Sequence, residues 1–166
     1  MSRKLVKRSD KVSFFGTTSG GTETFNRMRG FTTMSGSKNA SEYTRQYVDE
    51  EFETTDVTGY SPSIEFGFDQ YTDDAVHEEL AEILDGEKTG TDARRNIVIV
   101  DFSQPDNGGY KAVKREYAII GDAEGDSMDA YTYSGTFRAT GKRIEGTATM
   151  NSDSSVATFT ASGVSL

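Results

Sequence analysis

The sequence predicts a mainly β fold: two packed antiparallel sheets, sandwich- or barrel-like, with one flanking α-helix and a long connection between early strands. Three observations carry this reading. Apolar and polar residues alternate with period two in several runs. Apolar residues recur at helical spacing in one segment. More than twenty mostly polar residues, Ser37 to Tyr60, join two strand-like segments, whereas connections in compact domains are typically about 4–6 residues.

About seven strands are expected. In PSIEFGFD, Ile64, Phe66 and Phe68 share one face, with Glu65 and Asp69 on the other. NIVIVDF, from Asn96 to Phe102, is almost wholly apolar and predicts a strand buried on both faces. Tyr110 to Ile120 and Met128 to Arg138 form an expected hairpin across GDAEGDS, in which Tyr131, Tyr133 and Phe137 line one face of the second arm. A last hairpin pairs KRIEGTATM with SVATFTAS through NSDS. Its threonines suit half-exposed sheets.

The helix is expected over residues 73–85, in TDDAVHEELAEILDG. Val76, Leu80, Ile83 and Leu84 form its apolar stripe, Thr72 or Asp73 is the expected cap, and Gly86 the stop. His77, Glu78 and Glu82 are expected to face solvent or a neighbouring subunit.

With 166 residues the chain reads as a single domain. Leu, Ile, Val and Phe together make 31 of 166 residues, a thin core for a strand-rich protein. Its remaining apolar surface is therefore expected to be covered by other subunits. The formal net charge of -9 argues against tight nucleic-acid binding, which needs clustered Lys and Arg. No cysteine is present, so disulfides and thiolate chemistry are excluded, in keeping with assembly in a cytoplasm. No apolar run reaches the roughly 18–20 residues of a membrane span, and the basic MSRKLVKRSD lacks the apolar stretch of a signal peptide.

Catalytic and metal motifs fail on their chemistry. HEELA places Ala81 where a zinc helix needs a second histidine after His77. GTTSGGT from Gly16 has Thr22 where a phosphate loop requires lysine. DAEGDSMD from Asp122 has its glycine, Gly125, out of place for a calcium loop and no closing glutamate. A nucleophile–histidine pair has no candidate. The expectation is no enzyme, no cofactor and no metal.

Four stretches resemble one family. YTRQYVDE (Tyr43 to Glu50), TDVTGYSPSIEFGFD (Thr55 to Asp69), AVHEELAEILDG (Ala75 to Gly86) and SGTFRATGKRIEGTATM (Ser134 to Met150) are similar to tail tube proteins, or major tail proteins, of long-tailed siphophage-type phages and prophages of Gram-positive bacteria. In the expected order they span Tyr43 to Met150, roughly two-thirds of the chain, which is more specific than any one motif. The resemblance implies hexameric rings whose inner strands close into one barrel. The rings stack into a hollow tube that conducts the genome into the host. It implies a virion protein assembled in the bacterial cytoplasm. Expected partners are copies of itself, the tape measure protein and genomic DNA in the lumen, and tail terminator and distal tail proteins at the tube ends.

On that basis residues 37–60 are expected to form a stacking loop that reaches the adjacent ring through Tyr43, Arg45, Tyr47, Val48 and Phe52. Residues 1–24 are expected to form an arm to a neighbouring subunit, with Arg3, Lys4, Lys7 and Arg8 available to meet the acidic run Asp49, Glu50, Glu51 and Glu53. Glu65, Asp69, Glu116 and Glu145 are the expected acidic lumen residues. Two other readings compete: the inner tube of a contractile tail or tail-like bacteriocin, and a monomeric β-sandwich that binds carbohydrate or a cell surface. The absence of Trp weakens the second.

Overall fold

The computed structural model describes residues 3–162. Eleven strands are present among them: β1 (Lys11–Ser19), β2 (Thr22–Arg27), β3 (Phe31–Ser37), β4 (Ala40–Arg45), β5 (Thr54–Tyr60), β6 (Ser63–Asp69), β7 (Arg94–Asp106), β8 (Gly109–Glu124), β9 (Thr132–Ala139), β10 (Ile144–Met150) and β11 (Val156–Ala161). The helix α1 spans Ala75–Asp85. The expected count of about seven strands is too low, because the first third and the long connection also form strands.

Nine strands make one sheet in the order β10-β11-β2-β1-β7-β8-β9-β6-β3, and β10 also pairs with β8. That extra pairing closes six strands, β10-β11-β2-β1-β7-β8, into a small barrel, from which β9, β6 and β3 continue as an open sheet. The two packed layers expected from sequence are thus walls of one continuous, curled sheet. β8 belongs to both parts: its first half pairs with β10 and its second half with β9.

Two cores share a wall. Phe14, Val98, Val100, Ala112, Ala148 and Ala157 fill the barrel, with Phe25 and Phe159 against them. Small residues opposite large ones let so narrow a barrel fill without overpacking. Phe15 and Ile97 point the other way, into a larger core with Phe66, Phe68, Leu80, Ile83, Tyr133 and Phe137. Neighbouring residues along β1 and β7 therefore serve opposite cores, which accounts for the unbroken apolar run of NIVIVDF.

In the larger core, the Phe66 and Phe137 rings stack with centroids 4.1 Å apart. Phe66 lies over Gly135, its cross-strand partner. A Cβ on Gly135 would come within 2.2 Å of the Ile120 carbonyl oxygen and 3.0 Å of the Phe66 ring, so only glycine fits.

The helix stripe packs as expected: Val76, Leu80 and Ile83 are buried and Leu84 partly so. Two details differ from the sequence reading. The cap is Asp74, whose Oδ1 accepts from the backbone N–H of Val76 and His77 at 3.0 and 3.1 Å. Asp74 has the extended backbone a cap requires, whereas Asp73 has φ 59. His77 is fully buried instead of facing solvent. Its Nδ1 accepts from the Tyr71 N–H at 3.0 Å, which puts the ring proton on Nε2, donated to the Arg29 carbonyl at 2.6 Å. With Phe68 stacked 4.7 Å away, His77 ties the helix to the segments entering β3 and leaving β6.

The expected arm over residues 1–24 is much shorter. Residues 11–27 form the β1–β2 hairpin, and Phe14 and Phe15 are among the most deeply buried side chains. Gly20 and Gly21, both at positive φ, make its turn, the role of GTTSGGT in the fold.

Leu80→Ala should cost about 2–5 kcal/mol in urea denaturation; an unchanged midpoint would show that the stripe is not core. Burial, and then the Asp85 carboxylate 3.1 Å from its hydroxyl, push the Tyr133 phenol up to about 12. The unfolded phenol ionises near 10.0, so this contribution is complete below that pH and is lost as pH climbs towards about 12. Denaturation midpoints should fall across that window, and Tyr133→Phe should blunt the fall.

Candidate functional site: assembly surfaces

The long connection is a β-hairpin with a sheet of its own, β4 against β5. Asn39, at φ 50, turns the chain into it, and its amide donates to the Ser61 carbonyl at 3.0 Å and the Ser63 hydroxyl at 3.1 Å. These bonds pin both legs where β3 ends and β6 begins. Thr44 and Thr55 share a hydroxyl bond of 3.0 Å across the strands. At the tip, the Gln46 amide donates to the carbonyls of Glu50 and Glu51.

One face of this hairpin is built around Arg45. Its guanidinium lies 4.8 Å from the Tyr43 ring centroid and 5.4 Å from that of Tyr47, and its Nε donates to the Tyr47 hydroxyl at 3.1 Å. Asp56, from the opposite strand, pairs with it. A cation between two aromatic faces holds both rings in one orientation. The stack remains largely in solvent, with Tyr43, Tyr47, Val48, Phe52, Val57 and Tyr60 all exposed, Phe52 to 79%. Of the five residues expected to make the contact, three form the stack, while Val48 and Phe52 stand at the tip. Asp56 and Val57 were not foreseen. Their one signal is the β-branched content of TTDVTGY, which carries no apolar alternation.

The open sheet offers a second surface. Cross-strand partners share a face, so the register places Thr33, Ser35, Glu65, Gly67, Ser134 and Thr136 together on the side away from the core. Asp69, Thr132 and Arg138 continue this face, as do Ala118 and Ile120 of β8. It is hydroxyl-rich and carries no aromatic ring among these residues. Three of the four expected lumen carboxylates, Glu65, Asp69 and Glu116, lie on it. Glu145 does not. It sits opposite Val113 on the other side of the sheet, paired with Arg143.

This sheet has a strand with an unpaired edge at each side. β3 is last in the strand order, and β7 leaves β8 at Ala118, so the rest of β8 is paired on the β9 side alone. Exposed strand edges invite pairing with another chain. The basic N-terminal residues run beside β3: Arg8 donates to the Met34 carbonyl at 3.1 Å and to the Lys11 carbonyl at 2.7 Å. Arg3, Lys4 and Lys7 are exposed, as are Leu5 and Val6. Among the described residues no group of acidic and histidine side chains could hold a metal ion, and no helix is long and apolar enough to cross a membrane.

Arg45→Ala should release the hairpin without unfolding the protein. Amide exchange in Thr54 to Tyr60 should quicken by about tenfold or more, for a local loss of about 1.4 kcal/mol, while the thermal midpoint stays put. Equal exchange in both proteins would show that the stack does not order the hairpin.

No protein-family model matches the sequence, and no curated protein matches it. Solved structures do resemble it. The tail tube of SPP1 superposes with a TM-score of 0.61 at 15% identity, covering 87% of this chain and 81% of that one. The tail of the gene transfer agent particle, refined with C6 symmetry, gives 0.59 at 13% identity, covering 82% and 96%. A chain of the anti-feeding prophage baseplate, also six-fold symmetrised, gives 0.53 at 12% identity, covering 87% and 97%. At such identities the likeness speaks for the fold. The chain has the fold found in the SPP1 tail tube.

Proposed function

We propose that this chain is the structural subunit of a phage-type tail tube, six copies to a ring, with rings stacked into a hollow conduit for the genome. The observation that carries this is the open sheet, a hydroxyl-rich and acidic face bounded on either side by a strand with one unpaired edge. Joining β3 of one copy to the free part of β8 in the next removes both exposed edges and turns six open sheets into one closed wall. The six-fold symmetry of the gene transfer agent tail and the anti-feeding prophage baseplate supports the count.

The same face suits passage of DNA. Glu65, Asp69 and Glu116 would repel phosphate, and the absence of aromatic platforms removes the stacking by which single-strand binders hold bases. Six chains at -9 carry about -54 before screening. The tape measure protein would occupy this lumen before DNA, and tail terminator and distal tail proteins would close the tube ends. The role is non-catalytic. The β4–β5 hairpin would reach the adjacent ring, with its aromatic and Arg45 side chains buried on arrival. Arg3, Lys4 and Lys7 would contact a neighbouring subunit.

Negative-stain microscopy of the concentrated protein should show six-membered rings or tubes; a persistent monomer would overturn the reading. Replacing Ser37 to Tyr60 with a tight turn should leave a folded chain that no longer elongates. Long tubes from that variant would show that the hairpin is not the connector between rings.

A further inference from the structure

We propose that the acidic β4–β5 hairpin of one copy docks on the basic N-terminal segment of another. The inference rests on the tube reading and names the surface that receives the hairpin. Lys38 to Tyr60 carries six carboxylates, Glu42, Asp49, Glu50, Glu51, Glu53 and Asp56, against Lys38 and Arg45, a net charge of -4. Arg3 to Lys11 carries five cations, Arg3, Lys4, Lys7, Arg8 and Lys11, against Asp10, a net charge of +4. Asp56 pairs with Arg45. Among the described residues, no ion pair engages the other five hairpin carboxylates or any of the five N-terminal cations.

Both segments are ordered at the root and exposed beyond it. The N-terminal one is anchored by a short turn at Arg8–Asp10, where the Asp10 carboxylate accepts from the Lys7 backbone N–H at 2.8 Å. Arg3 to Lys7 lie in solvent past that anchor and present Leu5, 92% exposed, and Val6. The hairpin presents Val48 and Phe52 at its tip. Each surface thus sets charge around an apolar centre, the composition of an interface rim and core. Within one copy, no hydrogen bond or ion pair among the described residues joins the two segments. The occupant that matches charge and apolar surface together is therefore a second copy of this chain. Hairpin against hairpin would oppose like charge, which is strongly unfavourable in a closed contact. The β8–β9 connection is also acidic, but it folds over the hydroxyl-rich face, where Asp122 and Asp126 border one cavity with Thr33, Glu65 and Ser134. That position turns it to the lumen, away from a neighbour's N-terminal segment.

Cross-linking tests the contact directly, because the chain has no cysteine of its own. Leu5→Cys and Val48→Cys are placed in separate chains, one lengthened by a tag, then mixed, assembled and treated with a short bis-maleimide. Mixed dimers should exceed by about tenfold or more those from Leu5→Cys with Met128→Cys on the β8–β9 connection. Equal yields, or more from Met128→Cys, would overturn the proposal. Charge reversal gives a second reading, with elongation followed by light scattering and folding by circular dichroism. Arg3→Glu, Lys4→Glu and Lys7→Glu bring the N-terminal segment to -2, and Glu50→Lys, Glu51→Lys and Glu53→Lys bring the hairpin to +2. Either triple alone should elongate at least about tenfold more slowly than the unaltered chain. All six changes in one chain restore opposite signs and should regain most of the rate. An unaltered rate for either triple, or no recovery on combination, counts against the contact; should a reversed chain fail to fold, the cross-link yields decide. Tubes without the Leu5-to-Val48 cross-link sink this inference alone, whereas a chain forming neither rings nor tubes sinks the tube reading with it.

Discussion

Everything in this fold depends on a wall buried from both sides. β1 and β7 pair along Lys11 to Phe15, and successive residues of that pair, Phe14 and Phe15 or Ile97 and Val98, enter different cores. A slip of one residue would send each side chain into the wrong core. The barrel therefore cannot rearrange without disturbing the helix-covered sheet, and the two behave as one body. A chain with few large aliphatic residues gains stability by using both faces of its central strands.

That economy leaves the outer surfaces free for other work. The open sheet commits Ile64, Phe66 and Phe68 to the core, so its far face is released from packing and can be chosen for what touches it. Thr, Ser and Gly are small, keep β geometry and present little to adhere to. The hairpin solves a different problem. It is ordered by Arg45 between two tyrosines instead of by a core of its own.

The legible parts of this structure were those with one dominant period. The helix stripe, the two-sided strand at Asn96 to Phe102 and the C-terminal hairpins follow from spacing, because burial decides their pattern. The β1–β2 hairpin was hidden by its Gly/Thr-rich turn, and β4 and β5 by polar residues on both faces, since a strand buried on neither side has no apolar alternation to read. His77 was misplaced for a related reason. A histidine is polar in composition yet can be fully satisfied in a core by two backbone groups, and those groups, at Arg29 and Tyr71, come from distant or irregular chain. Glu145 falls on the other face from Glu65 and Asp69 because strand alternation gives two faces but not which of them continues into the next sheet.

One strand has mechanical meaning. β8 runs unbroken for 16 residues, about 50 Å at roughly 3.3 Å per residue, from inside the barrel to the far end of the open sheet. Force applied to the sheet along that axis reaches the barrel through covalent backbone. The hydrogen bonds to β9, β10 and β7 lie across the direction of pull, so they share the load instead of opening one after another. A body built this way resists stretching along the strand, as a cable does along its length.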